Sequence, residues 1–276
     1  MATVVTKTLD ITESNAQQYC TATGLQLDDG GHAFRKWLDG GTDGYATLNA
    51  AAKELLYPSA TARPFKLDSS MRGSRSAGSM TAALEFGGTA VHSESFTSTA
   101  MRTKASSGIT AAAVANSTRD TAIRWHLHGA NANNQRIETA SIALYFNQYA
   151  CAANAVDNGV EAAAVSDNAP YQGDTVAFTA TLKSGATWHG WYSDAACTQL
   201  VSTAQTYTAA AADLTLYAKA TIDAQGTGMY VKTNGAHSEA QAAYKKINGV
   251  WVKQTNTDAL KNEMQNKNLK HGGILK

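Results

Sequence analysis

The sequence predicts a mainly β protein: an N-terminal β-sandwich-like domain with a short helical insertion, then a small β module and C-terminal β-hairpins. Three observations carry this. Apolar residues recur at every second position in short segments, as in Met80, Ala82, Leu84 and Phe86, or Ile123, Trp125 and Leu127, which is the period of a half-buried strand. Clusters of Gly, Ser and Asn separate these segments at the spacing of a sandwich. An Asn-Gly pair flanked by strand formers occurs twice, at Asn234-Gly235 and Asn248-Gly249, and Asn-Gly is the strongest short hairpin signal because both central residues need a positive φ.

Residues 1–150 form the first domain. Ser79–Phe86 reads as a strand that turns at Gly87-Gly88. Ile123–His128 sets Ile123, Trp125 and Leu127 on one face, with Arg124, His126 and His128 on the other. Ile137–Tyr149 brings Ile137, Ile142, Leu144 and Phe146 inward. Gly129–Asn134 between these last two has the composition of a loop. Thr47 is placed to cap a helix over Leu48–Leu56 that Pro58 ends. Met71–Gly78, with Arg72 and Arg75, reads as a loop, as does Asp39–Gly44.

Cys151–Asn158 is small, polar and unpatterned, which puts a domain boundary there. The second unit, residues 156–222, opens with a turn at Pro170–Asp174. A strand over Thr175–Leu182 points Val176, Phe178 and Ala180 inward, Ser184-Gly185 turns into Trp188–Tyr192, and Asp213–Ala220 closes the sheet. Residues 227–276 hold the Asn-Gly hairpin repeat and a basic tail, in which Leu260 and Met264 mark a brief helix before Gly272-Gly273.

The bulk composition narrows the classes. The chain is 43% hydrophobic and 16% charged with a net charge of +1, against roughly 25% charged in ordinary globular proteins. That balance gives no field for nucleic acid, and no apolar run approaches the ~18 residues that span a bilayer. Cys20, Cys151 and Cys197 are too few and too scattered for a disulfide framework or a structural zinc site. Free thiols are expected, with Cys197 a small buried apolar residue, although one disulfide stays open. Met1–Lys7 shows neither a basic stretch nor an apolar core of the secretory kind, so export by that route is not expected.

Two resemblances add to this. Gly190-Trp191-Tyr192-Ser193-Asp194, Cys197-Thr198 and the closing Leu214–Lys219 strand resemble the Listeria–Bacteroides repeat, the internalin B-type module of bacterial surface proteins. The resemblance implies a small mixed sheet of β-grasp type with one short helix-like crossing, used as a scaffold or spacer, in which Trp188, Trp191 and Tyr192 are structural. Residues 245–254, KKINGVWVKQ, resemble a short hairpin repeat common near the ends of phage tail and baseplate proteins.

Candidate chemistry is sparse. His126 and His128 form an H-x-H pair on one strand face, a workable metal-ligand spacing, with Glu138 the only nearby carboxylate. Two polar residues on a solvated face explain the same alternation without a metal, so no metal, cofactor or catalytic residue is assigned. Gly30-Gly31-His32, Gly40-Gly41 and Gly87-Gly88 lack the spacing of phosphate-binding loops. Asp28-Asp29 reads as a turn. No G-x-S-x-G or H-E-x-x-H occurs.

The expectation is therefore a non-enzymatic structural component of a tailed-phage virion, in the tail tip, baseplate or a fibre. It would associate with other virion proteins and with its own copies as a trimer or hexamer, without cofactor, nucleic acid or membrane. The alternative is a carbohydrate-binding adhesin or receptor-binding module for a host-surface glycan, with Trp125 an exposed aromatic that holds the sugar.

Overall fold

The computed structural model describes residues 2–36, 43–76, 78–129 and 134–222, together with the backbones of four strands between 230 and 254. The first domain is built from β1 (Thr3–Ile11), β2 (Cys20–Thr23), β3 (Gln26–Leu27), β4 (Phe34–Lys36), β5 (Gly44–Leu48), β6 (Pro64–Ser74), β7 (Met80–Phe86), β8 (Thr89–Phe96), β9 (Arg102–Ile109), β10 (Ile123–His128) and β11 (Gln135–Gln148). Three short helices, α1 (Ala16–Tyr19), α2 (Ala50–Leu56) and α3 (Ala112–Ala115), interrupt them.

These strands make two antiparallel sheets. One runs β3-β4-β11-β6-β9, with β1 also paired to β11; the other runs β2-β5-β10-β7-β8. A single core fills the space between them, and in it Phe34 of the first sheet meets Trp125 of the second at 5.3 Å between ring centroids. Met80, Ala82, Leu84, Phe86, Ile123, Trp125 and Leu127 are all buried, so the period-two pattern marks the core face. Trp125 is fully buried. A tryptophan so placed is worth about 3–5 kcal/mol to the fold, and it is no platform for a sugar.

Local chemistry moves several predicted boundaries. The helix starts at Ala50, because the Asn49 side chain, not that of Thr47, accepts the amide of Ala52 at 3.1 Å; Thr47 and Leu48 belong to β5. Met71–Ser74 is the end of β6 and not a loop, since its backbone pairs with β9 and β11. Cys151–Ala155 is also a strand, pairing in parallel with Leu214–Ala218.

That strand opens the second unit: β12 (Cys151–Ala155), β13 (Val160–Val165), β14 (Thr175–Leu182), β15 (Ala186–Tyr192), β16 (Leu200–Ser202), β17 (Thr206–Ala210) and β18 (Leu214–Ile222). They form a mixed sheet, β12-β18-β15-β16, and a three-stranded sheet, β13-β14-β17. Its core holds Val176, Phe178, Ala180, Trp191, Leu216 and Ala218, with Phe178 and Trp191 edge to face at 5.9 Å. No helix lies between residues 151 and 222. Where a helix-like crossing was expected, Asp194 accepts the amides of Thr198 and Gln199 and closes a turn. Gly190 is required there: at φ +138° a Cβ would sit 2.7 Å from the carbonyl oxygen of Ser202 in the edge strand. Cys197 is only partly covered, with φ at +53°, whereas Cys20 and Cys151 are the buried thiols; all three are free.

The two units are stitched together by a polar joint. Asp174 is buried and accepts from Ser59, from Thr61 at 2.6 Å and from the amide of Tyr171 at 2.9 Å. The Arg63 amide donates to the carbonyl of Gln172 at 2.7 Å. Gly173, at φ +100°, lies against the Thr61 carbonyl where a side chain would clash.

Beyond residue 229, β19 (Tyr230–Thr233) pairs with β20 (Ala236–Glu239), and β21 (Ala243–Ile247) with β22 (Val250–Gln254). The closing pairs Thr233–Ala236 and Ile247–Val250 flank the two Asn-Gly pairs. The Asn-Gly residues themselves lie outside the described residues. So do the predicted tail helix at Leu260–Met264, most of the Asp39–Gly44 and Gly129–Asn134 loops, and Trp37. No helix among the described residues is long and apolar enough to cross a membrane.

Candidate functional site

The strongest polar constellation lies on the outer face of the five-stranded sheet. On β10, the alternation that buries Trp125 turns Arg124, His126 and His128 outward. The antiparallel register then fixes their neighbours: His126 stands opposite Tyr45 of β5, and Arg124 opposite Glu85 of β7. Asp43 immediately precedes β5 and reaches the same place.

The contacts are short and mutually consistent. Glu85 is nearly buried, its side chain 9% exposed, and takes hydrogen bonds from Arg124 Nε at 2.6 Å and His126 Nδ1 at 2.8 Å. A buried carboxylate without partners is costly, and these two supply what it needs. Asp43 Oδ1 accepts from His128 Nδ1 at 2.6 Å and lies 2.9 Å from His126 Nε2. The Tyr45 ring stacks on His126 at 4.5 Å, and the Arg124 guanidinium carbon is 4.2 Å from its centroid. Burial, and then the Asp43 charge, push the Tyr45 phenol above its ordinary value.

Oδ1 of Asp43 and one nitrogen from each of His126 and His128 lie within 4.8 Å of one another, and these are metal-ligand atom types. The expected third partner, Glu138, is elsewhere. It sits on β11 in the opposite sheet, bonded to Arg72, because successive strands β10 and β11 belong to different sheets. The residues that do complete the cluster are Asp43 and Glu85. Glu85 was signalled by its position out of phase with Met80, Ala82, Leu84 and Phe86, which sends it to the solvent side. Asp43 carried no such signal, because it ends a loop.

The other predicted features are not brought to this place. In the second unit Trp191 is buried. Trp188 is half-buried, its indole N–H donating to the Thr203 carbonyl at 2.9 Å, and Tyr192 is half-buried with Lys219 5.9 Å from its ring centroid. On the six-stranded sheet, Asp68, Ser70, Ser106, Ser141 and Ala143 line an open groove of about 230 Å³. Tyr145, beside it, is covered by Lys66 at 3.8 Å and donates to Asp68 at 2.6 Å.

No protein-family model matches the chain, and no curated protein matches it. Among solved structures, it is similar to the CBM36-1 domain of a multidomain xylanase from the hindgut metagenome of Trinervitermes trinervoides, at 9% identity and a TM-score of 0.31, over 51% of this chain and 96% of that one. It is also similar to a carbohydrate-binding module CBM36 in complex with calcium and xylotriose, at 16% identity and a TM-score of 0.32, over 49% of this chain and 98% of that one. A third is the C-terminal CBM6 of LamC, a marine laminarinase from Zobellia galactanivorans, at 13% identity and a TM-score of 0.30, over 49% and 98%. At TM-scores this low the likeness carries no functional argument.

The Asp68–Tyr145 pair gives a pH prediction. The hydrogen bond from Tyr145, then that from the Gly108 amide, lower the Asp68 carboxyl below its ordinary value. The folded state therefore favours the ionised form: the stabilisation is present above the unfolded value and lost as pH falls through the lowered one. Tyr145→Phe should destabilise the protein in urea unfolding at about pH 7, and the difference from the parent should shrink at about pH 3.

Proposed function

We propose that the N-terminal sandwich is a carbohydrate-binding module whose ligand lies on the outer face of the five-stranded sheet. The observation that carries this reading is the polar row of Asp43, Tyr45, Arg124, His126 and His128 around the nearly buried Glu85, with Asp43, Arg124 and His128 reaching solvent. A saccharide offers many hydroxyl groups, each both donor and acceptor. The exposed Asp43 carboxylate accepts, and the Arg124 guanidinium and the exposed His128 imidazole donate, which matches that chemistry. Recognition here uses a sheet face and not a cleft, which suits an extended polymer.

The test is a glycan array on the full chain, followed by calorimetry with the best polysaccharide. Binding should appear, and Arg124→Ala should weaken it by about 10- to 100-fold, the value of hydrogen bonds from a charged donor, with the circular dichroism spectrum unchanged. A blank array, or equal binding by the folded variant, contradicts the reading.

A second reading, a structural subunit of a phage particle, is favoured by one feature of the second unit. Strand β16 is an edge strand, and its Leu200 and Val201 are exposed at 53% and 38%. An apolar edge is a template for pairing with another chain. Light scattering on the full chain should then give a discrete trimer or hexamer that Leu200→Lys dissociates. A monomer at every concentration counts against it.

A further inference from the structure

We propose that Asp43, His126 and His128 bind a single divalent transition-metal ion of the zinc class. The proposal goes beyond the carbohydrate reading and stands without it.

The donor set selects the metal. Two imidazoles and one carboxylate suit zinc, cobalt, nickel or iron, whereas calcium and magnesium take oxygen ligands. The three ligand atoms are close enough to meet at one ion, though two of the separations are shorter than a bound ion sets. Tetrahedral bonds of about 2.1 Å place neighbouring ligand atoms about 3.4 Å apart. Here Asp43 Oδ1 is 2.6 Å from His128 Nδ1 and 2.9 Å from His126 Nε2. Side-chain rotation that moves these atoms apart by about 0.5–0.8 Å opens that space, and Asp43 and His128 are both half-exposed.

His126 supplies the more specific observation. Its Nε2 is sealed from solvent and makes no hydrogen bond, although a carboxylate oxygen is only 2.9 Å away. The separation is that of a bond, but the angle is not. Two ligand-type atoms side by side with no hydrogen bond between them is an arrangement that one shared ion would satisfy. The cause is on the far side of the ring. Nδ1 bonds Glu85, and a carboxylate can only accept, so Nδ1 holds a proton and Nε2 is the nitrogen left to bind an ion. Arg124 in turn holds Glu85. A carboxylate behind the imidazole is the usual outer support of a metal-bound histidine. His128 joins through Nδ1 by passing its proton to the solvent-facing Nε2. Three protein ligands leave at least one coordination position for water or an incoming oxygen ligand.

The test uses the full chain stripped with a chelator and titrated calorimetrically with zinc chloride, with no glycan present. One equivalent should bind, and calcium chloride should give no comparable heat. Cobalt substitution should give the visible bands of a nitrogen- and oxygen-ligated ion. Asp43→Asn and His128→Gln, which keep size and polarity at exposed positions, should each weaken zinc binding by about 100-fold, and Glu85→Gln by about 10-fold. His189→Ala, a change in the second unit, should leave it unchanged. No saturable binding of zinc, equal binding by Asp43→Asn and His128→Gln, or tighter binding of calcium than zinc would each overturn the proposal. A blank glycan array has no bearing on any of these readings.

Discussion

Everything in the first domain depends on the two-residue alternation of β10, the central strand of its sheet. The same six residues put Ile123, Trp125 and Leu127 into the core, and Arg124, His126 and His128 on the opposite face. A slip of one residue would expose a tryptophan and bury a guanidinium and two imidazoles. The packing of Trp125 against Phe34 across the sandwich therefore fixes not only the core but also the direction in which both histidines point. The site needs no separate scaffold, being the outer face of the strand that anchors the core.

Within the site, Glu85 is the organising charge. It is nearly buried, and its two partners come from one strand, on which Arg124 and His126 sit two apart. Because both its oxygens are occupied, the His126 ring is held by one nitrogen, and the other is left facing Asp43 and His128. Tyr45 packs its ring against both Arg124 and His126. Positioning comes from rigid strands, whereas the two most exposed members, Asp43 and His128, retain room to adjust.

The sequence shows these features unequally. The strands of Met80–Phe86, Ile123–His128 and Thr175–Leu182 were legible because each has one apolar face and one polar face. Cys151–Ala155 was not, since small residues at a sheet edge carry no alternation. Met71–Ser74 looked like a loop for its Arg, Gly and Ser, but pairing on both sides overrode composition. The H-x-H pair was visible, and its partner was misassigned for a topological reason: adjacency along the chain put Glu138 close to it, whereas the sandwich sends β11 to the other sheet and brings Asp43 from over eighty residues away. Pairwise register, not spacing along the chain, makes this constellation.

The claim on which the account turns is that Glu85 fixes the His126 tautomer. Long-range proton–nitrogen NMR of the metal-free full chain reads that tautomer directly. The account predicts a proton on Nδ1 and a bare Nε2, shifting toward an even mixture in Glu85→Gln. A proton found on Nε2 in the parent protein would contradict it.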